Sequence, residues 1–196
     1  MKKEILDDRI VAYTDFIDNP MSLVDDINEL RAKYNLPFVP STINNYEIDH
    51  EKISSSAFWL HEHPTDYSVG PDFTKDKQAL NAKIDRVIFE PSIDYVKTYS
   101  PGISSRERWG LIRYDGEQFI TWHTDGNDSN KRKVSFVFYL NDDYEGGEIE
   151  FKDFAGQKPY KPKAGTLLMF PSYPEYLHRV VPVVSGTKYV FISFAV

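Results

Sequence analysis

The chain has 196 residues, of which 41% are apolar and 27% charged, and its formal charge is −7. That length fits one domain with its own core, and the composition is that of an ordinary globular protein rather than a disordered one. The acidic balance argues against a broad grip on nucleic acid, because that binding relies on Lys and Arg displacing phosphate counterions. Charges follow Met1 where a signal peptide needs an apolar core, no run reaches the ~18 apolar residues of a membrane span, and cysteine is absent. A cytoplasmic protein without disulfides, contacting neither membrane nor nucleic acid, is expected.

In chain order, residues 9–13 read as a first strand. Asn19-Pro20 offers an N-cap followed by proline at the first helical position, and Leu23, Val24, Ile27 and Leu30 repeat at helical spacing to about Tyr34. Residues 35–74 are rich in Pro, Ser, Asn and His, and read as long loops with short strands. Inner loops of that length tend to be functional, so residues 54–73 are expected to form a lid. Residues 74–89 are helical again, Pro91 ends or interrupts that helix, and a further helical stretch runs to about Tyr99.

From Arg108 onward the pattern changes to short β-rich segments at 109–114, 119–123, 134–140, 148–151, 166–170, 178–183 and 188–196. Turns separate them at Asp115-Gly116, Glu145-Gly146-Gly147, Ala164-Gly165 and Ser185-Gly186. Seven or eight short strands at this spacing, with helices supplied by the first half, predict a mainly β fold with α elements: a double-sheet jelly roll or a barrel. Residues 1–105 would supply helical and loop support to a catalytic core at about 106–196, within one domain spanning 1–196.

His123-Thr124-Asp125 lies in an extended run, where residues two apart point to the same side, so one strand presents two metal ligands together. His178 lies in a second β-rich run and can supply a third. Two imidazoles and one carboxylate leave the other metal positions free, which is the facial triad of non-haem Fe(II) oxygenases. Lys188 follows ten positions after His178, and a hairpin would bring it into the same cavity. An ammonium buried there requires an anion. Other polar clusters read more simply. His61 and His63 sit in a polar loop as solvated side chains, Glu145 to Glu148 forms a tight hairpin turn, and Lys131-Arg132-Lys133 is the solvated approach to a strand.

Tyr114, His123-Thr-Asp125, Glu145-Gly-Gly-Glu148, Pro162-Lys-Ala-Gly165, Phe170-Pro171, His178-Arg-Val-Val-Pro-Val183 and Gly186-Thr-Lys188 together resemble the catalytic core of 2-oxoglutarate- and Fe(II)-dependent dioxygenases, most closely the prolyl 4-hydroxylase branch. The resemblance spans residues 106–196. It implies a double-stranded β-helix (jelly roll) with supporting N-terminal helices, in which His123, Asp125 and His178 are metal ligands and catalytic residues holding Fe(II). It also implies 2-oxoglutarate as cosubstrate, O2 as oxidant and ascorbate as reductant. Lys188 and Tyr114 would then bind the distal carboxylate of 2-oxoglutarate, and Arg132 matches an arginine near the substrate channel of relatives. Trp59 and Tyr67, aromatics of the long loop, are further candidates for substrate contact.

Departures from the family pattern bear on the substrate. Phe194 stands where prolyl hydroxylases often carry tryptophan. A single Lys188 replaces the paired arginines of nucleic-acid demethylases, and Asp125 is present where halogenases have a small residue. The expected activity is therefore hydroxylation of a C–H bond, with proline in a peptide or protein as the leading substrate. A hydroxylase of a free amino acid or small metabolite, a noncatalytic jelly-roll binding module and a zinc hydrolase are the alternatives. The sequence leaves the oligomeric state open.

Overall fold

In the computed structural model, which describes residues 1–42, 48–61, 69–99, 102–154, 156 and 158–196, one large sheet separates two hydrophobic layers. Its strands are β1 (Lys2–Asp7), β2 (Ile10–Thr14), β3 (Val39–Pro40), β4 (Ser56–Trp59), β5 (Gly110–Tyr114), β7 (Val134–Tyr139), β10 (Thr166–Pro171) and β13 (Lys188–Ala195), in the order β1-β2-β10-β7-β13-β5-β4-β3. A smaller sheet, ordered β6 (Ile120–His123), β11 (His178–Val180) and β9 (Ile149–Phe151), packs across from it. So does the pair β12 (Val183–Ser185) and β8 (Glu145–Gly146). The ladders are antiparallel, and the two layers make the expected jelly roll.

The central strands are apolar on both faces because both faces are covered. Along β7, Phe136 and Phe138 point to the helices, while Val137 and Tyr139 point between the sheets. Leu167 and Met169 alternate with Leu168 and Phe170 in β10 in the same way. Three helices cover the first face: α1 (Ser22–Tyr34), α2 (Pro71–Val87) and α3 (Phe89–Tyr99). They contribute Leu23, Val24, Ile27, Leu30, Phe73, Leu80, Ile84 and Tyr95 to that layer. The other face looks into the space between the sheets, where the candidate site lies.

Several expectations need correction. Residues 10–13 belong to the second strand, not the first, and Arg9 lies in the turn before it. Lys2–Asp7 pairs with that strand as an edge strand whose charged residues hid it, and lysines on an edge deter pairing with other chains. Asn19 does not cap α1. Its carbonyl instead accepts from Ser22 in a preceding turn, and the helix starts at Ser22. α2 begins at Pro71 rather than Thr74, with proline in its first turn, where its missing N–H costs nothing. The break before α3 falls at Ile88, so Pro91 sits within the first turn of α3. The proposed lid also shrinks. Ser56–Trp59 is a strand paired with β5, Ala57, Phe58 and Leu60 are buried, and Phe73 is a core residue of α2. Within that stretch, residues 62–68 lie outside the described residues.

Polar contacts lock α2 to the sheet. Asp85 accepts from the indole N–H of Trp109 at 2.8 Å and pairs with Arg106, whose guanidinium lies 4.6 Å over the Trp109 ring. Asn81 accepts the Trp109 backbone N–H at 3.0 Å. Replacing Asp85→Ala leaves the buried indole N–H without its acceptor and removes the carboxylate partner of Arg106, which keeps the Ser193 hydroxyl and the Glu107 carbonyl. The expected loss is about 1.5–3 kcal/mol, the range for hydrogen bonds to charged groups. Urea unfolding should show a lower midpoint with an unchanged slope, and an unmoved midpoint would remove this network from the account of stability.

Candidate metal centre and anion pocket

β6 and β11 pair in a register that sets His123 directly opposite His178, with ring centroids 4.2 Å apart. Asp125 follows β6 at a turn held by the Gly126 N–H, which donates to the Ser172 carbonyl at 2.7 Å. A Cβ at Gly126 would lie 2.5 Å from that carbonyl oxygen and 2.7 Å from that of Arg132, so only glycine fits where the chain delivers Asp125. Asp125 Oδ1 is then 3.5 Å from His123 Nε2, and Oδ2 is 3.6 Å from His178 Nε2. The three residues offer ligand atoms all within 4.8 Å of one another.

Each imidazole is aimed by its other nitrogen. His123 Nδ1 lies 2.9 Å from the Thr121 carbonyl, and His178 Nδ1 lies 3.0 Å from the Tyr176 carbonyl. A carbonyl only accepts, so Nδ1 carries the proton in both rings and both Nε2 lone pairs face Asp125. Backbone carbonyls fixing the ring orientation are the usual support for metal-ligating histidines. Burial would raise the Asp125 carboxyl, but His178, His123 and the Ser135 hydroxyl outweigh it and hold the group well below the usual carboxylate range. Burial and the neighbouring His123 push His178 down to about 4, leaving it neutral at pH 7. Burial also opposes charge on His123, but Asp125 wins there and raises it. Two nitrogens and one carboxylate form a donor set that suits a divalent transition metal such as Fe(II).

The second feature is a buried cation. Lys188 is 1% exposed, and β13 pairs it directly with Tyr114 of β5. Its Nζ donates to the Gly147 carbonyl at 2.7 Å and lies 5.1 Å from the ring centroids of Tyr114 and Tyr139 and 5.9 Å from that of Tyr144. Among the described residues no carboxylate pairs with it. Burial pushes the ammonium down to about 7, against a smaller opposing pull from Glu148. The Tyr139 and Tyr144 hydroxyls are buried and, among the described residues, unpartnered, as is that of Thr166. Burial holds the phenols of Tyr114, Tyr139 and Tyr144 protonated. A site with one cation and spare hydroxyl donors is built to receive a carboxylate.

Two sequence readings of this region change. His178 and Lys188 do not share a hairpin: β11 belongs to the small sheet and β13 to the large one, so the two face the common interior from opposite layers. Glu145 to Glu148 is not a hairpin turn either, since β8 pairs with β12 and β9 with β11. Gly146 and Gly147 have φ of 71° and 66°, and a Cβ on Gly147 would lie 3.2 Å from Lys188 Cδ. The glycines thus let the Gly147 carbonyl reach the ammonium.

The proposed substrate contacts fare unevenly. The Arg132 guanidinium is engaged by both oxygens of Glu107 at 2.7 Å each and stacks 3.7 Å from the Phe194 ring, with a longer contact of 3.4 Å to the Asp125 carbonyl. Its Nε, Nη1 and Nη2 all have partners within the protein, and the side chain is half-buried rather than a solvated entry charge. Trp59 is half-buried, covers Gly110 and lies 4.9 Å from the His61 ring, packed against the layer that also holds Tyr114. Tyr67 and His63 lie outside the described residues. Sequence reasoning missed Ser135, Ser172, Tyr139 and Tyr144. For two of them a signal existed, because Ser135 and Tyr139 sit in phase with Val137 on the inward face of an otherwise apolar strand.

Residues 109–195 match the family model described as the 2OG-Fe(II) oxygenase superfamily. A PKHD-type hydroxylase of Idiomarina loihiensis is 34% identical over 88 residues, which is 43% of this chain and 39% of that protein. The chain therefore matches well under half the length of that curated relative. Among solved structures, a prolyl hydroxylase from Trichoplax adhaerens, in complex with a peptide fragment of the hypoxia inducible factor oxygen degradation domain, aligns with a TM-score of 0.69 at 16% identity, covering 95% of this chain and 82% of its own. The viral collagen prolyl hydroxylase of Paramecium Bursaria Chlorella virus-1, in its 2OG complex, aligns with a TM-score of 0.60 at 22% identity, covering 94% and 93%. At these identities the structures establish the shared jelly-roll fold.

The buried ammonium makes stability depend on pH with a definite sign. The folded-state value of Lys188 lies below its ordinary 10.5, so the penalty of burying its charge is fully present below pH 7 and is relieved as pH rises toward 10.5. In ligand-free protein, Lys188→Met should be the more stable form at pH 6. The gap should narrow by up to about 1.4 kcal/mol per pH unit between pH 7 and 9. Thermal unfolding of both proteins across that range checks this, and a pH-independent gap would show that Lys188 is not a strained cation.

Proposed function

We propose that this chain, whose residues 109–195 match the 2OG-Fe(II) oxygenase superfamily model, is an Fe(II)- and 2-oxoglutarate-dependent dioxygenase that hydroxylates proline in a peptide or protein. The observation that carries the reading is one shared interior with a His-Asp-His cluster and a buried Lys188 that, among the described residues, pairs with no carboxylate. His123 and His178 would hold the iron through Nε2, and Asp125 through its carboxylate. When bound there, iron would supply the oxidising chemistry, in which 2-oxoglutarate and O2 would yield succinate and carbon dioxide as one oxygen atom enters the substrate C–H bond and the other enters succinate. Ascorbate would serve as reductant.

The protein's own contribution is placement. Lys188 would take the distal carboxylate as a charge-assisted pair, with hydroxyls from Tyr139 and Tyr144 and the adjacent Tyr114 in support. The aromatic lining of Phe151 and Phe170 against His178 would exclude water on one side of the cluster, which would strengthen the charge interactions there. Support for a prolyl substrate comes from the relatives, one of them solved with a peptide, and Trp59 is the candidate contact on this chain. A noncatalytic module would have no need to keep all four of His123, Asp125, His178 and Lys188. A zinc hydrolase would have no use for the Lys188 pocket.

Incubation with Fe(II), ascorbate, 2-oxoglutarate and proline-containing peptides should release succinate and add the mass of one oxygen to a proline. His178→Ala should do neither. Turnover of free amino acids but of no peptide would move the substrate to a small metabolite. Lys188→Ala should weaken 2-oxoglutarate binding by roughly 30-fold to several thousand-fold, the cost of truncating one side of a buried charged pair. Calorimetry with Mn(II) in place of iron measures this, and unchanged affinity would remove Lys188 from the cosubstrate site.

A further inference from the structure

Asp125 has two oxygens, and the structure treats them differently. The Ser135 hydroxyl lies 2.6 Å from Oδ2 and 2.7 Å from the Ser172 hydroxyl. Both serines are buried, at 0% and 1% exposure. The direction of this chain follows from counting protons. A carboxylate can only accept, so the single Ser135 proton goes to Asp125, and the contact with Ser172 must then be a donation from Ser172 to Ser135. The result is a directed relay, Ser172 to Ser135 to Asp125, ending in a charge-assisted bond.

The relay also crosses the layers. Ser135 lies on β7 in the middle of the large sheet, paired with Phe170 of β10, and Ser172 follows just after that strand. Asp125 follows β6 of the small sheet. The Gly126 N–H to the Ser172 carbonyl closes the same junction through the backbone, and Asn130 Nδ2 donates to the Asp125 carbonyl at 2.8 Å. Asp125 is thereby fixed in backbone and in side chain, with Oδ2 occupied by a proton donor.

We infer that Ser135, backed by Ser172, is a positioning residue that keeps Asp125 a one-oxygen ligand. The inference rests on the reading that His123, Asp125 and His178 hold a metal. A buried carboxylate without this donor is free to close onto the metal with both oxygens, or to rotate away. The first takes up a position that a chelating keto acid and O2 require, and the second weakens the site.

Ser135→Thr and Ser135→Val differ only in the hydroxyl and have nearly the same shape, so they separate the hydrogen bond from packing. Mn(II) titration of the full chain, read by the free-ion signal in electron paramagnetic resonance, should give wild-type affinity for Ser135→Thr. For Ser135→Val, or Ser135→Ala if the larger residue does not fold, the dissociation constant should rise by about 10- to 100-fold or the Co(II) form should show a weaker visible absorption, as a two-oxygen carboxylate raises the coordination number. Ser172→Ala should shift the same readings in the same direction by less. Thermal unfolding of the metal-free variants confirms that each is folded. Wild-type Mn(II) affinity together with an unchanged Co(II) spectrum in Ser135→Val would overturn the inference while leaving the metal centre standing. If Asp125→Ala also bound Mn(II) like the wild type, the metal reading itself would fall and the inference with it.

Discussion

Lys188 is a buried cation that, among the described residues, no carboxylate neutralises. Its ammonium sits among three tyrosine rings with one backbone carbonyl as its hydrogen-bond acceptor, and two of the surrounding hydroxyls have no partner among the described residues. A core assembled for stability alone would have an apolar side chain there, since a buried cation without an anion opposes folding. The arrangement makes sense if the missing anion arrives as a ligand. On the proposed reading, a dicarboxylate would relieve the cost of burying this ammonium, and that relief would add to its binding.

The fold tolerates this because the large sheet is buried on both faces. Phe136, Phe138, Leu167 and Met169 bind it to the helices on one side, so the other side is free to carry polar groups at chosen points. Among apolar neighbours, that inner face presents Ser135, Tyr139, Tyr114 and Lys188 to the small sheet, which in turn presents His123 and His178. The chemistry therefore sits on strands, the most rigid elements available, while β6 and β11 bring the two imidazoles together through a single cross-strand register.

The parts of this architecture visible in the sequence were those that depend on side-chain type at short range. The spacing of His123 and Asp125 marked them as a pair, although β6 ends at His123 and a turn rather than the strand period delivers Asp125, and the apolar runs at β7, β10 and β13 were long enough to read as strands. The N-terminal hairpin was not visible, because an edge strand such as Lys-Lys-Glu-Ile-Leu-Asp satisfies its exposed face with charges and resembles a coil. Pairing between layers was not visible either. Nothing local in Glu145-Gly-Gly-Glu148 says that its carbonyl will meet Lys188, and nothing near Arg132 says that Glu107 will take its guanidinium. Ser135 was the subtlest case. Its place beside Asp125 depends on two sheets stacking, and only its phase with Val137 and Tyr139 hinted that it looked inward.

That phase has a further consequence. Ser135 meets the metal-ligand end of the interior and Tyr139 the Lys188 end, and both stand on β7, a central strand hydrogen-bonded on each side to β10 and β13. Four residues of extended backbone rise by roughly 13 Å. A strand clamped between two neighbours stretches little, so Ser135 and Tyr139 stand at a separation set by covalent geometry. If an acid spans the two ends as proposed, its length would be read as by a fixed caliper rather than a closing hand, and a molecule one methylene too long would meet a backbone with little softer conformation to offer.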